Sequence, residues 1–138
     1  MTSIGEYAFV LYGLTNVTIP DSVTSICEYA FYNCTNLAQV TIGNGVVSIG
    51  AFAFSNCSAL TTLSIGKGIK FIGDEAFYGS SNLIDIYIYR FAPPQTGSNV
   101  FSGKMTSKAL YVPSGATSLY KNHSTFGVFD SNMIFGTL

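Results

Sequence analysis

Charged side chains are scarce in this 138-residue sequence, and their charges almost cancel. They make up 9% of the chain, against roughly a quarter in an average soluble protein, and the formal net charge is -1. Because nucleic-acid binding depends on clustered Lys and Arg, this composition predicts no nucleic-acid partner. Hydrophobic residues nevertheless make up 48% of the sequence, which excludes an intrinsically disordered chain.

Long apolar runs and targeting signals are also missing. No charged residue occurs between Glu28 and Lys67, yet polar residues and glycine interrupt this stretch far short of the roughly 20 apolar residues of a membrane span. We therefore expect no membrane insertion. The first residues lack the basic start and apolar core of a signal peptide. The chain is thus expected to be either cytoplasmic or the mature segment of a longer protein.

The sequence contains few groups suited to catalysis or to metal binding. Its single histidine, His123, is expected to be a solvent-exposed surface residue, and no Ser-His-Asp or Cys-His motif with a known spacing occurs. No phosphate-binding glycine motif is present either. The three cysteines, Cys27, Cys34 and Cys57, form no Cys-x-x-Cys pair for zinc, and their odd number argues against a complete disulfide framework. These absences predict a protein that is not an enzyme, with no cofactor and no metal.

What the sequence does contain is an internal repeat with a period of about 23 residues. Each copy has an Ala-Phe pair, then Leu-x-x-Val-x-Ile, then a turn of Gly, Pro, Asn or Asp, and then a second short extended segment. Four clear copies begin at Ile4, Ile26, Ile49 and Ile72. A divergent fifth copy follows, in which Val100-Phe101 corresponds to Ala76-Phe77.

This repeat predicts a solenoid, because no single copy is long enough to enclose its own hydrophobic residues. Val-x-Ile alternates as a half-buried strand does, and stacked strands would lie ~4.8 Å apart. We expect a right-handed repeat solenoid of short strands and turns over residues 1–113, with short helical or 3₁₀ turns before each Ala-Phe. Residues 114–138 would form a small C-terminal cap of the same domain. The prediction requires Phe31, Phe54 and Phe77 to stack on one another.

Two motifs also carry a family resemblance. Cys34-x-x-Leu37-x-x-Val40-x-Ile42 looks like a leucine-rich repeat. Ile-Gly-x-x-Ala-Phe with its downstream Asn-Cys is similar to the BspA-like (Treponema-type) leucine-rich repeat family of bacterial surface proteins, and the segment from Ala109 to Lys121 resembles the closing unit common in that family. The resemblance implies a leucine-rich repeat fold, a cell-surface or secreted location, and adhesion to host matrix proteins or to other cells.

The two ends of the predicted solenoid differ. After Pro113, Ser114 is expected to cap one or two helical turns, and the apolar residues that follow would cover the last coil. The N-terminal end has no such segment, so the strand over residues 17–19 would have an open edge. We hypothesise that this chain either continues a longer array or buries the open face by self-association.

Two sets of residues at equivalent repeat positions allow both a structural and a functional interpretation. Cys34 and Cys57 are equivalent, with Ser80 next, and we expect a reduced buried ladder there, with a disulfide bond as the alternative. Three acidic residues share another position: Glu6, Glu28 and Asp74. Such a row could attract calcium, but one solvated carboxylate per coil favours a plain surface row.

The outer face of the main strands is the candidate ligand-binding surface. Alternation predicts these outward residues: Asn16 and Thr18, Gln39 and Thr41, Thr62 and Ser64, Asp85 and Tyr87, and Ala109 and Tyr111. The candidate site residues at its aromatic end are Asp85, Tyr87, Tyr89, Arg90 and Tyr111. Tyr and Arg are enriched where binding energy concentrates in interfaces. The alternative is that these residues pack under the cap or line the bend over residues 91–94.

From these features we predict a non-enzymatic module that binds a protein partner (host matrix or cell-surface) or a glycan. A face with so little charge gives weak electrostatic steering, so binding should depend only weakly on salt. Two alternatives remain open: a structural spacer with no ligand of its own, and a small hydrolase with an unrecognised site that depends on His123.

Overall fold

The computed structural model describes residues 2–10, 13–102, 107–130 and 133–138, and they form a solenoid built on two parallel β-sheets. The six-stranded sheet contains β2 (Asn16–Ile19), β4 (Gln39–Ile42), β6 (Thr62–Ile65), β8 (Asp85–Ile88), β10 (Ala109–Val112) and β11 (Ile134–Gly136). The five-stranded sheet contains β1 (Thr2–Ile4), β3 (Val23–Ile26), β5 (Ser48–Ile49), β7 (Phe71–Ile72) and β9 (Gln95–Thr96). The predicted solenoid of short strands and turns is therefore confirmed.

The strands of successive copies pair in the register that the repeat predicts. Val40 in β4 is flanked by Val17 and Leu63, and the same register continues through Ile86 to Leu110. Because side chains alternate along a strand, this register keeps the Val, Leu and Ile residues of the sheet on the inner face.

A column of phenylalanine rings runs through the core, one ring from each coil. The ring centroids of Phe31 and Phe54 lie 4.8 Å apart, and those of Phe54 and Phe77 lie 5.3 Å apart, with both pairs nearly parallel. Phe9 and Phe101 extend the column at its two ends. The stacking that the sequence prediction required is confirmed, and the three interior rings, Phe31, Phe54 and Phe77, are buried.

The cysteine positions form a second ladder. Cys57 Sγ donates a hydrogen bond to the Phe31 carbonyl oxygen at 3.4 Å, and Ser80 Oγ donates to the Phe54 carbonyl oxygen at 3.3 Å. Cys34 Sγ lies 3.1 Å from the Phe9 carbonyl oxygen. All three cysteines are free in this structure, and the buried ladder of Cys34, Cys57 and Ser80 is confirmed, whereas its reduced state stays a prediction. The position requires a small hydrogen-bond donor as well as a small volume, which explains why serine replaces cysteine in one coil.

The segment before each Ala-Phe pair forms a turn and not the helical or 3₁₀ turn that we expected. Within residues 2–10 and 13–102 the structure contains no helix. The residue before the Ala-Phe pair, or before Val100-Phe101 in the fifth copy, has a left-handed backbone in every copy: Tyr7, Tyr29, Phe52, Glu75 and Asn99, with φ between 52° and 58°. One left-handed residue reverses the chain direction at once, so that a helical turn cannot form there.

The C-terminal segment covers the last coil, but not in the way that the sequence suggested. Helix α1 spans Thr117–Lys121, and its N-cap is Ala116 without a side-chain hydrogen bond, so the predicted Ser114 cap is wrong. A 3₁₀ turn follows over Phe126–Val128. Strand β11 then pairs in parallel with β10 and extends the sheet, which the sequence did not predict. The boundary between residues 113 and 114 stays a prediction.

The fifth copy contains a buried lysine. Lys108 is 1% exposed, and its Nζ atom donates a hydrogen bond to the Leu83 carbonyl oxygen at 2.8 Å. Burial lowers the pKa of this amine. The neighbouring Ala109, which was expected on the outer face, is buried as well, so the exposed face of this strand is narrower than the alternation predicts.

Candidate functional site

The outward positions of the six-stranded sheet form one continuous row. In register across β2, β4, β6, β8 and β10 lie Thr18, Thr41, Ser64, Tyr87 and Tyr111. The row therefore changes from small hydroxyl groups at the N-terminal end to aromatic rings at the C-terminal end. Each side chain is fixed by a paired strand, so the surface is held rigid by the sheet below it.

The aromatic end is a cluster that we call the tyrosine patch: Asp85, Tyr87, Tyr111 and Phe135. Tyr87 and Tyr111 stack with ring centroids 4.5 Å apart, and Phe135 continues the stack at 5.3 Å from Tyr111. Tyr111 Oη donates a hydrogen bond to Asp85 Oδ1 at 3.4 Å. Desolvation raises the pKa of Tyr111, and the Asp85 carboxylate adds to the shift. Phe135 was missed by sequence reasoning because β11 belongs to no repeat copy.

The other two predicted site residues, Tyr89 and Arg90, lie outside the tyrosine patch. Tyr89 follows β8 and is 47% exposed. Arg90 lies toward the cap, where its carbonyl oxygen accepts a hydrogen bond from Tyr120 Oη at 2.7 Å. Burial raises the pKa of Tyr120, an effect that the nearby Arg90 guanidinium partly offsets. Among the described residues, the Arg90 Nε atom is buried without a hydrogen-bond partner. These contacts place Arg90 against the cap, as the packing interpretation expects, and its role in ligand binding stays a prediction.

Beside the hydroxyl row lies a groove of about 530 Å³, which we call the hydroxyl groove. Its lining residues include Thr18, Pro20, Thr41, Asn44, Ser64 and Tyr89. Gly43 and Gly66 stand in the register between Pro20 and Tyr89 and form part of the lining. A Cβ atom at Gly43 would lie 2.6 Å from the Ile19 carbonyl oxygen, so the close coil contact requires glycine there. Sequence reasoning assigned these glycines only to turns and missed the groove.

Metal binding finds no support within the residues that the structure describes. No group of three or more His, Cys, Asp or Glu side chains converges there. Glu6, Glu28 and Asp74 are exposed, as a plain surface row would be, and Asp74 Oδ1 accepts a hydrogen bond from the Ser98 amide at 2.9 Å. No helix in the described part of the chain has the length and apolarity of a membrane span.

His123 is not the solvent-exposed residue that the sequence predicted. It is half-buried, its Nδ1 atom accepts a hydrogen bond from the Thr125 amide at 3.1 Å, and its ring lies 5.1 Å from that of Phe126. Burial lowers the pKa of His123, and a hydrogen bond with the Pro94 backbone partly offsets this effect. These contacts give His123 a structural role in joining the cap to the last coil.

Similarity to known proteins follows the repeat. The family model described as "BspA type Leucine rich repeat region" matches residues 2–126 in six copies. No curated protein is detectably similar to the chain.

Three solved structures resemble this solenoid. A leucine-rich repeat protein of Treponema pallidum is 22% identical with a TM-score of 0.59, and the match covers 75% of this chain and 60% of that one. A leucine-rich repeat protein of Bacteroides ovatus is 24% identical with a TM-score of 0.53, covering 93% and 45%. A leucine rich cell surface protein of Faecalibacterium prausnitzii is 27% identical with a TM-score of 0.48, covering 80% and 42%. The chain thus spans less than two thirds of each relative's length.

Proposed function

The chain belongs to the BspA-type leucine-rich repeat family, and from this membership we propose that it is a non-enzymatic binding module of a bacterial cell-surface or secreted protein. Leucine-rich repeat arrays generally act as scaffolds that mediate protein interactions, because stacked coils present an extended rigid surface. For this chain we propose adhesion to a protein of the host matrix or of another cell, or to a glycan.

The observation that carries the proposal is the exposed outer face of the six-stranded sheet. The tyrosine patch and the hydroxyl groove lie on it side by side, and Tyr89 and Phe135 are substantially exposed. Tyrosine combines a large apolar ring with a directed hydroxyl group at a small loss of side-chain entropy, which suits it to binding. The hydroxyl groove adds neutral donors and acceptors, which match peptide amides and sugar hydroxyl groups alike.

Electrostatics predict how such a ligand would bind. Asp85 is the only charged residue in the tyrosine patch, and Asp21 lies at the far end of the hydroxyl groove. Since few ions would be released or screened on binding, we expect modest association rates and little change in affinity with ionic strength.

The experiment replaces Tyr87 and Tyr111 together by serine and measures binding to arrays of extracellular-matrix proteins and glycans. We expect the wild-type chain to bind at least one component of the arrays. The variant should bind that component at least about ten-fold more weakly, because tyrosines in an interface contribute a large share of the binding free energy. The matched control is Tyr78→Ser, which removes a ring that is 45% exposed and lies outside this sheet.

Thermal unfolding of the same variants separates binding from packing. An unchanged melting temperature with lost binding supports the proposed site, whereas a large fall in melting temperature with retained binding assigns the tyrosines to packing. A wild-type chain that retains nothing on either array, at low or at physiological salt, would instead favour a structural spacer.

We also propose that a second copy of the chain can cover the open N-terminal end. Ile4, Phe9, Leu14 and Val17 pack on the core but stay partly exposed around a cavity of about 370 Å³. Among the described residues, β1 and β2 are the terminal strands of their sheets and have no further strand beside them at this same end, and such edges pair readily with an identical edge. Sedimentation should detect dimers that Val17→Lys abolishes and that Val128→Lys, at the capped end, leaves intact. Only monomers at high concentration would refute this association.

A further inference from the structure

A second aromatic surface lies at the corner of the first three coils, on elements other than the six-stranded sheet. The rings of Tyr7, Tyr29 and Phe52 stack in sequence, with centroids 4.9 Å apart in both pairs and planes within 6°. Tyr32 packs edge-on against Tyr29 at 5.3 Å. We call these four residues the aromatic ridge. The rings stack because one left-handed corner residue from each coil falls in register with the next.

The core does not require aromatic residues at these positions. Tyr7, Tyr29 and Phe52 all have φ near 58°, a backbone region that bulky side chains disfavour and that Gly or Asn adopts more easily. Later coils have Glu75 and Asn99 at the same corner, so the turn forms without a ring. Tyr7 is 56% exposed, and burial therefore does not explain its ring. The ridge holds aromatic surface toward solvent in an unfavourable backbone conformation, which is typical of functional positions.

Carboxylates surround the ridge. Glu6 and Glu28 directly precede Tyr7 and Tyr29, and Glu75 occupies the next step of the ladder beyond Phe52. The pKa of Tyr29 is raised by desolvation, then by Tyr7 and by the Glu28 carboxylate, with a further effect from Glu75. The Glu28 and Glu75 carboxylates are therefore close enough to make the ridge electronegative.

The chain offers no cation of its own in this half. Residues 1–66 contain Glu6, Asp21 and Glu28 but neither Lys nor Arg, and all 6 basic residues follow from Lys67 onward. The outer ring face of Tyr7 has no stacking partner among the described residues. An electronegative ring face beside unpaired carboxylates is the surface to which a cation binds best.

We propose that the aromatic ridge is a docking surface for an extended basic segment of a partner protein, whose Lys or Arg side chains lie against the rings of Tyr7 and Phe52 and pair with Glu28 and Glu75. Coil spacing of about 4.8 Å places these groups along one line, so an extended chain contacts them in succession. Arginine fits better than lysine, because its planar guanidinium stacks on a ring while it donates to a carboxylate.

The test measures fluorescence anisotropy of labelled synthetic peptides with the whole chain. An Arg-Gly repeat peptide should bind more tightly than a Lys-Gly peptide of equal length, and a Glu-Gly peptide should not bind. The double variant Tyr7→Asn with Phe52→Asn removes the two rings that the basic side chains are proposed to contact, and asparagine tolerates the left-handed backbone at both positions. We expect about two- to five-fold weaker binding for each ring lost, the range for exposed cation–π contacts.

Further variants separate the contributions of charge and of folding. Glu28→Gln with Glu75→Gln leaves every ring in place and should weaken binding and flatten its salt dependence. Tyr89→Asn, which removes an exposed ring from the hydroxyl groove, should bind the Arg-Gly peptide as the wild type does. Equal binding of that peptide to the wild type and to the ridge variants, or no binding to the wild type, would overturn the proposal.

The ridge and the sheet face are tested independently. The Tyr87→Ser, Tyr111→Ser variant should keep full affinity for the Arg-Gly peptide, and the ridge variants should keep any ligand of the tyrosine patch. Binding at the ridge should fall steeply with salt, in contrast to the weak salt dependence expected at the patch. Loss of Arg-Gly binding in the patch variant would place the basic segment on the sheet face and refute the ridge.

Discussion

The two ends of the solenoid have equivalent phenylalanine rings, but these rings differ in how much of their surface other residues bury. At the N-terminal end, Phe9 lies partly exposed as the first ring of the column. At the C-terminal end, Phe101 is 9% exposed and contacts the rings of Phe126 and Phe129. Both terminal rings stack on a neighbour of their own kind, so the repeat alone does not decide whether a ring is buried.

This difference indicates that each ring of the phenylalanine column stabilises the fold only as far as side chains on both sides of its coil cover it. Within the described part of the chain, an interior coil is covered on both sides and the last coil is covered by the cap, whereas Ile4, Phe9 and Leu14 of the first coil stay partly exposed. In a stack in which coils contact only their neighbours, the least covered end opens first. The open end is also the one that carries the aromatic ridge.

The largest expected effect comes from removing a ring at each end. Phe126→Ala should reduce the free energy of unfolding by about 3–5 kcal/mol, because it leaves a cavity under the cap, whereas Phe9→Ala should cost only about 1–2 kcal/mol. Urea unfolding followed by circular dichroism measures both changes. Equal losses at the two ends would contradict the difference in covering.

An intermediate effect is expected in the interior, which serves as the reference for both ends. Burial raises the pKa of the Cys57 thiol to about 12. Below pH 9 the thiol is protonated in the folded and unfolded states alike; between pH 9 and about 12 only the unfolded chain ionises, so stability falls as pH rises. The loss should reach about 2 kcal/mol by pH 10.5.

Cys57→Ser is the matched variant for this pH dependence, since Ser80 fills the same position in the next coil. Its hydroxyl group keeps the hydrogen bond but does not ionise in this range, so the alkaline loss of stability should be smaller. Unfolding free energies at pH 7 and pH 10.5 measure the effect. Identical losses in the two proteins would show that other groups, such as the tyrosines, cause the alkaline dependence.

The smallest effect concerns the buried amine of Lys108 in the fifth copy. Burial lowers the pKa of the Lys108 amine, so the amine binds its proton more tightly in the unfolded chain than in the folded one. The free energy of unfolding should therefore rise with pH between the lowered pKa and about 10.4, the pKa in the unfolded chain. Lys108→Met keeps the apolar stem without the charge and should stabilise the chain by up to about 1 kcal/mol at pH 7. The control variant is Lys70→Met, at an exposed lysine, which should change the free energy of unfolding by less than about 0.5 kcal/mol. Destabilisation by Lys108→Met would show that the hydrogen bond to Leu83 outweighs desolvation.

Sequence reasoning was accurate about burial and stacking where one copy could be compared with the next, although the helical turn expected before each Ala-Phe pair was wrong. The positions of Phe31, Val40 and Cys57 recur in other copies, so each copy predicts the environment of the others. It failed after residue 113, where no second copy exists: the start of α1, strand β11 and the burial of His123 were all missed. Binding residues were predicted in part, since alternation placed Tyr87 and Tyr111 on one face. The assignment of Arg90 to that face stays a prediction, and its contacts with the cap favour packing.

The sequence by itself determined the architecture, because a period of about 23 residues with no self-sufficient copy leaves stacking as the way to bury Phe, Leu and Ile. Only the tertiary structure decided which surfaces are available for binding. The stacking of Tyr7 on Tyr29, the hydroxyl groove and the covering of Phe101 all depend on contacts between residues that are far apart in the chain. Those contacts follow from the register and spacing of whole coils, which no local pattern encodes.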